Sequence, residues 1–466
     1  MIKVAVLDNG IDSKALTCHI INKVIQDGNV VEYMDEMSLS ICEHGTLCAI
    51  IIKENINVGI LFGVRILDEN GKGFLDNLNP AIDVCIGNSI YLVNLSLGTT
   101  HFKDRVKLRK TVNHFANQGI IIITATSNDG YTTYPASFGN VISVATGDGL
   151  GIDQNMQLQK GIDFIAPSDH EITTEGAFFR LGRSNSYAAP YVTAMVGKLI
   201  EEKGMMTIDE IRKALAPEGY TFIYSPDWLE SAWISPKYKK NDAEFYFNKD
   251  DRSLPECIDE IDTLVLCDRS EVEKYYDLGK HIVYIGSENL NPLDKTHRFW
   301  SSNQRRMQIV STLDRDGDID VPIIYCVFDK EEDVICCLSK LKMLFADDGY
   351  NAYTGCGYVD SVLYDLEYLP VDEAIRSKLV DFVYWQTYYQ QSDLILVGYD
   401  ENGYETNRLM ENSDMTIFFR SSDNGVCVRM SIDGEEKTEE LYANLNAESI
   451  DKIYLGIIDK FEKEDE

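Results

Sequence analysis

The chain has 466 residues, 44% of them apolar, with 76 acidic against 43 basic side chains and a formal charge of −33. That length predicts two or three domains with enough apolar content to fill their cores. The negative surplus excludes nucleic acid and anionic membrane as partners, since both would repel it, and its ordinary use is solubility. The eleven cysteines are odd in number, several (Cys85, Cys267, Cys336, Cys337) sit in apolar segments, and none has paired zinc-ligand spacing. They read as buried free thiols of a reducing compartment. The β-branched run from residue 2 is expected to open a strand directly, with no signal peptide or propeptide ahead of it. It contains no apolar run of about 18 residues that would span a membrane. The expectation is a cytoplasmic protein with no metal and no cofactor.

In chain order, residues 2–7 form a short β-branched run ending at Asp8-Asn9-Gly10. Residues 59–66 and 89–96 are similar. Residues 119–126 contain Ile120-Ile121-Ile122-Ile123, a continuous apolar run of the kind found in parallel strands covered on both faces. Strands at 141–145 and 163–166 follow, with helical patterns at 44–53 and 104–117 between. Alternating strands and helices predict an α/β fold, a doubly wound and mainly parallel sheet, with ligands beyond the carboxyl ends of its strands. Asp8, Ser96 and Asn128 all fall there. A helix at 206–214 carries a capping signal, Thr207 with Glu210 three residues on.

Three short segments bear chemistry. Asp8 ends the first strand. Glu43-His44-Gly45-Thr46 opens a helix of small and apolar residues. Ser186-Tyr187-Ala188-Ala189-Pro190 opens another, and Thr126-Ser127-Asn128-Asp129-Gly130 lies before it. Taken singly, Asp8 reads as a strand-end turn former, His44 as a helix-start residue and Ser186 as an N-cap. Together they supply a poor nucleophile, a base that takes its proton near neutral pH, and a carboxylate that fixes the base's tautomer. Asn128 adds a carboxamide donor for a developing oxyanion.

The order Asp, His, Ser and the surrounding motifs resemble those of the subtilisin-like serine peptidases over about residues 1–215. His44-Gly45-Thr46 matches the family's histidine motif, and Asp8-Asn9-Gly10 its Asp-Ser/Thr-Gly. Val93-Asn94-Leu95-Ser96-Leu97-Gly98 resembles its substrate-binding strand, Ala125-Thr126-Ser127-Asn128 its oxyanion segment, and Tyr134-Pro135-Ala136 and Ala166-Pro167-Ser168 its flanking motifs. Ser184 to Val192 resembles the segment carrying the nucleophile. The resemblance implies Ser186 as nucleophile, His44 as base, Asp8 as orienting acid and Asn128 as oxyanion donor. A peptide would lie along Asn94, Leu95, Ser96, Leu97 and Gly98, with Ser127 at the first specificity pocket. Two serines depart from the pattern. Ser184 and Ser127 stand where the family has glycine, and a serine at 184 would be strained if that position needed positive φ.

Residues 1–218 are thus expected as a subtilisin-like domain and 219–260 as a connector. Residues 261–466 are expected as a second, Rossmann- or flavodoxin-like α/β domain of unassigned role. In it, 263–267, 281–285, 321–327 and 394–398 read as strands, 331–345 and 372–390 as helices, and Asp423-Asn424-Gly425 as a hairpin turn. Asp314-Arg315-Asp316-Gly317-Asp318 places its glycine at the wrong position for a calcium loop and reads as a plain acidic loop. The implied function is an intracellular serine endopeptidase acting on a peptide or protein substrate, with removal of a leader in peptide maturation as one form of it. The rival readings are a catalytically inactive peptide-binding scaffold on the same fold, and a protein whose main activity resides in the second domain.

Overall fold

The computed structural model describes residues 1–31, 43–68, 72–73, 75–174, 177–239, 242–290, 298–372, 374–401, 409, 411, 413–432 and 435–464. It divides into two units. The first runs Met1–Glu230 and takes in Asp294–Arg298; the second holds Ser231–Leu293 and Phe299–Glu466.

In the first unit, β1 (Lys3–Asp8), β2 (His19–Gln26), β3 (Asn29–Val31), β4 (Ile60–Arg65), β5 (Leu92–Leu95), β6 (Ile121–Ala125), β7 (Ile142–Thr146) and β8 (Phe164–Ala166) form one sheet. Its order is β3-β2-β4-β1-β5-β6-β7-β8, and β9 (Glu171–Thr174) and β10 (Ala177–Arg180) form a separate antiparallel pair. All neighbours within the larger sheet are parallel except β3, which returns antiparallel to β2. The helices are α1 (His44–Asn55), α2 (Leu78–Gly87), α3 (Arg105–Asn117), α4 (Gln154–Lys160), α5 (Asn185–Lys203) and α6 (Ile208–Leu215).

Alternation along the central strands explains the two helical layers. Val4 and Val6 of β1 and Ile121 and Ile123 of β6 pack with Cys48 and Ile52 of α1 and Ala188, Ala189 and Val192 of α5. Ala5 and Leu7, with Ile122, face the other way, onto Ala81 and Ile82 of α2 and Leu108, Val112 and Phe115 of α3. A strand buried on both faces has no polar side to show, which is why these segments read as continuous apolar runs. The sequence reading contains neither β2 nor α2. The first residues of β2 are only partly buried, so its pattern is weak, and α2 carries Pro80 in its first turn, where a missing N–H costs nothing.

A buried ion pair ties the far edge of this sheet to α6. Arg212 and Asp163 are both almost inaccessible. The guanidinium reaches Asp163 through two nitrogens at 2.9 Å and donates to the Gly139 and Val141 carbonyls. Asp163 also accepts from Tyr224 Oη at 2.9 Å and the Ser143 N–H at 3.0 Å. The helix start is a true capping box: Thr207 Oγ1 accepts from the Glu210 N–H, and Glu210 accepts from the Thr207 N–H.

The second unit corrects the expected boundaries. The segment 219–260 is no connector from residue 231 on, because β11 (Ser231–Ile234), β12 (Asn248–Asp250) and α7 (Leu254–Cys257) fall within it. With β13 (Thr263–Leu266), β14 (His281–Tyr284) and β15 (Phe299–Ser301), these strands make a parallel five-stranded sheet, order β12-β11-β13-β14-β15. A second sheet follows, built from β16 (Ile323–Phe328), β17 (Ala352–Cys356), β18 (Glu367–Tyr368), β19 (Leu394–Asp400), β20 (Met415–Ser422), β21 (Gly425–Ile432) and β22 (Glu435–Tyr442). Its order is β18-β17-β19-β16-β20-β21-β22, parallel as far as β20 and antiparallel beyond. Two sheets therefore stand where one module was expected. The α/β class holds in both units, and β20 and β21 form the expected hairpin. The run 314–320 leads into β16 rather than into a helix, so it lacks the helix–loop–helix frame of a calcium loop, and Asp314 pairs with Lys378.

The Arg212 network predicts that Arg212→Met, by stranding Asp163 without its partner, lowers the unfolding free energy of the first unit by about 3–5 kcal/mol. Guanidinium unfolding followed by circular dichroism measures this; a midpoint equal to that of the parent chain would contradict it.

Candidate active site

Asp8 ends β1 at the carboxyl edge of the sheet, completely buried. Its Oδ1 accepts the Asn9 N–H at 2.9 Å, and its Oδ2 lies 2.7 Å from His44 Nδ1. His44 is the first residue of α1, with 29% of its side chain exposed. The strand end and helix start are bound together beyond this bond. Asn9 Oδ1 accepts the Gly45 N–H, Asn9 Nδ2 donates to Glu43, and Thr46 Oγ1 accepts the Asp12 N–H. Gly45 is required by the approach itself: a Cβ there would stand 2.6 Å from the Gly10 carbonyl oxygen and 2.9 Å from the Asp8 Cβ.

Cys48, one turn along α1, is a neighbour that sequence reasoning missed. Its sulfur is 3.9 Å from His44 Nδ1, 3.7 Å from the Ser186 carbonyl oxygen and 3.8 Å from Ser96 Oγ. The only available signal was its position four residues after His44, which puts both on one helix face. Burial disfavours the imidazolium. The Cys48 sulfur and the hydrogen-bonded, negative Asp8 outweigh that penalty and hold the His44 pKa above its ordinary 6.5. Asp8, His44 and Cys48 present ligand atoms within 4.8 Å of one another. A soft cation would suit the thiol and imidazole but would have to break the Asp8–His44 bond to bind all three.

Ser186 is the second residue of α5, so its N–H lies in the first turn, where backbone donors have no intrahelical acceptor. Tyr187 follows it and places its ring 5.3 Å from the His44 ring. Ala188 and Ala189 are fully buried, which lets the helix start close against the sheet; Pro190 lies inside the helix as its sixth residue, and the Ser186 carbonyl that its missing N–H leaves without that bond faces the Cys48 sulfur at 3.7 Å. Asn128 follows β6 and is exposed. Its Oδ1 accepts the Asn185 N–H at 2.9 Å, which leaves Nδ2 as the free-facing donor, 3.3 Å from Ser184 Oγ. Asn185 is a second residue the sequence reading passed over. Its side chain takes the Thr146 N–H and donates to the Ser127 carbonyl and Thr126 Oγ1, so it anchors the start of α5 to the ends of β6 and β7.

The structure thus joins Asp8 to His44 directly, sets Ser186 and His44 against the same cysteine, and carries Asn128 to the start of α5. It does not join Ser186 to His44. Among the described residues, Ser186 Oγ bonds Ser184 Oγ at 2.9 Å instead. The peptide-binding strand is corrected in part. Asn94, Leu95 and Ser96 are buried, because β5 is an interior strand. The Asn94 carboxamide is spent on Thr193 and Ser96, so these three side chains cannot meet a peptide; only Leu97, partly buried, and Gly98, exposed, reach the surface. Ser127 is half-buried, and its hydroxyl accepts the Asp129 N–H. Ser184 has φ −154° and ψ 138°, extended backbone, so the strain expected of a serine there is absent. Of the remaining histidines, His114 bonds Glu230 and His170 bonds the Tyr187 carbonyl; His297 lies outside the described residues.

The doubly wound parallel sheet thus carries a buried acid–imidazole pair at one strand end and a serine at a neighbouring helix entrance. Residues 1–217 match the model of the subtilase family. The chain is 30% identical over 236 residues to the minor extracellular protease Epr of Bacillus subtilis (strain 168), covering 47% of this chain and 35% of that protein. It is 30% identical over 233 residues to the thermophilic serine proteinase of Bacillus sp. (strain AK1), covering 46% of this chain and 55% of that one. The thermostable alkaline protease of Halalkalibacterium halodurans is 27% identical over 241 residues, 48% of this chain and 63% of its own length. The chain therefore spans less than two thirds of each of these relatives. Among solved structures, that of a cold adapted subtilisin-like serine proteinase aligns with a TM-score of 0.37 and 19% identity, over 45% of this chain and 79% of that one.

Two outcomes follow. Gly45→Ala drives its Cβ into backbone, displaces His44 from Asp8, and lowers kcat/KM by about 100-fold, as an ångström-scale misplacement does; unchanged hydrolysis of a fluorogenic peptide would refute the packing argument. The raised His44 pKa means that the imidazole stays charged above pH 6.5. Activity needs it neutral, so the acid limb of the kcat/KM profile has its midpoint above 6.5. In Asp8→Asn the His44 ring proton resonance, followed by NMR, titrates at lower pH; an unchanged midpoint would remove Asp8 as the cause.

Proposed function

We propose that this protein is a serine endopeptidase that cleaves a specific peptide or protein substrate in the cytoplasm. Ser186 Oγ attacks the peptide carbonyl carbon as His44 Nε2 takes the hydroxyl proton. The tetrahedral oxyanion lies toward Asn128 Nδ2 and the Ser186 N–H. Its collapse breaks the C–N bond, and His44 returns the proton to the leaving amine. Water then attacks the acyl ester by the same proton path and releases the acid. The observation that carries the reading is the 2.7 Å bond from buried Asp8 to His44 Nδ1, which leaves Nε2 as the catalytic nitrogen. The relatives above are proteases by name, which weighs against an inactive scaffold.

Three features support a narrow substrate range and an interior location. Ten described cysteines are unpaired, as a reducing compartment would leave them. Among the described residues no helix is long and apolar enough to cross a membrane. An unrestrained protease would damage its own compartment, so a single client, such as a peptide whose leader is removed during maturation, fits the reading. Ser127, where the resembling family has a glycine, adds a side chain that would narrow a first specificity pocket in the same sense.

A fluorophosphonate probe tests the chemistry. The folded wild type is labelled, Ser186→Ala is not, and Asp8→Asn is labelled about 10³–10⁴-fold more slowly. A wild type that hydrolyses no peptide library and takes no label would overturn the proposal.

A further inference from the structure

Serine at a helix N-cap ordinarily turns its hydroxyl onto the N–H of the second or third helical residue. Ser184 is the N-cap of α5 and makes no such bond. Its Oγ points outward instead, 2.9 Å from Ser186 Oγ and 3.3 Å from Asn128 Nδ2, with Asn128 Oδ1 at 3.4 Å. A hydroxyl that gives up a cap worth about 1 kcal/mol must be held by what it meets.

What it meets is the oxyanion machinery of the proposed reaction. A substrate oxyanion has to lie one bond beyond the carbon joined to Ser186 Oγ and about 2.7–3.1 Å from its donors. An oxygen already within hydrogen-bond reach of both Ser186 Oγ and Asn128 Nδ2 stands in that space. The same contact gives Ser186 a partner other than His44, so the attacking hydroxyl has left the base it needs.

We infer that Ser184 is a resting-state latch, its hydroxyl filling the oxyanion site and drawing Ser186 off His44 until substrate displaces it. This rests on the peptidase reading above and adds a regulatory element to it. The displacement requires only rotation about χ1. The Ser184 backbone is held independently, its N–H on Ser168 Oγ and its carbonyl on the Tyr187 N–H. Because the backbone is extended there, glycine and alanine fit without strain, and the lost hydroxyl was not capping the helix. A competent state populated only in part reduces the observed second-order rate by that fraction. Ser184 is a positioning residue in this scheme, since it must leave before the substrate carbonyl enters.

The test is the second-order rate of fluorophosphonate labelling, with kcat/KM for a fluorogenic peptide beside it. One hydrogen bond of ordinary strength sets the expected gain at about 3–10-fold in both Ser184→Gly and Ser184→Ala. Ser184→Thr keeps the hydroxyl and stays at the wild-type rate, which a merely steric or structural role would not produce. If wild type is labelled and the glycine and alanine variants are equal to it, the latch is wrong while the peptidase reading survives. If they are slower, the hydroxyl is an oxyanion donor and the latch is again wrong. If no folded variant, wild type included, takes label at Ser186, the peptidase reading fails and the latch goes with it.

Discussion

One hydrogen bond organises the amino-terminal unit, that between the Asp8 carboxylate at the end of a central strand and the His44 ring at the start of a helix. A carboxylate this deep would cost several kcal/mol if left bare. It is not bare, because the Asn9 N–H and the imidazole both donate to it. The bond in turn demands that α1 begin against the strand end, and Gly45 is the residue that lets backbone meet backbone there. Asn9, reaching Glu43 and the Gly45 N–H, holds the two segments in register. Three consecutive residues on each side are therefore committed to the placement of one ring.

The start of α5 is governed by a different set of contacts. Asn185 binds the ends of two neighbouring strands, and the Asn128 carboxamide is oriented by the backbone N–H of that same residue. The entrance of the helix, its positive dipole end, is held over the sheet edge by these side chains as well as by the apolar core beneath it. Ala188 and Ala189 permit that close seat, and the Cys48 sulfur fills the angle between α1 and α5. The consequence is an acid–imidazole pair joined at 2.7 Å near a serine whose hydroxyl meets Ser184.

Much of the amino-terminal unit was legible. The apolar runs at β1, β4, β5, β6 and β7 appear where parallel strands buried on both faces must be apolar throughout, and the Thr207 capping box marks α6 without ambiguity. What stayed hidden follows from partial burial or from distance. The early half of β2 lacks a clean alternation because it is only partly covered. Arg212 and Asp163 lie 49 residues apart, and nothing local announces that they are partners. Asn94 looked like a peptide ligand because it lies within the resembling segment Val93-Asn94-Leu95-Ser96-Leu97-Gly98. Its burial inside the sheet, with its amide turned to Thr193, is a fact of packing. In the second unit, short strands spread over 231–301 have too little periodicity to separate one sheet from the next.

The sequence by itself determined which groups are present and in what order: an acid after the first strand, His44-Gly45-Thr46 opening a helix, an asparagine after β6, and a serine entering α5. Residue type and local pattern suffice for this, since the chemistry of a carboxylate or an imidazole does not depend on where the chain goes next. Only the tertiary structure decided which of those groups meet. It set Asp8 on His44, turned Asn94 inward, and put the Ser184 hydroxyl between Ser186 and Asn128. Contacts of this kind depend on separations of a few tenths of an ångström between segments far apart in the chain, and those are fixed by the packing of helices on a shared sheet.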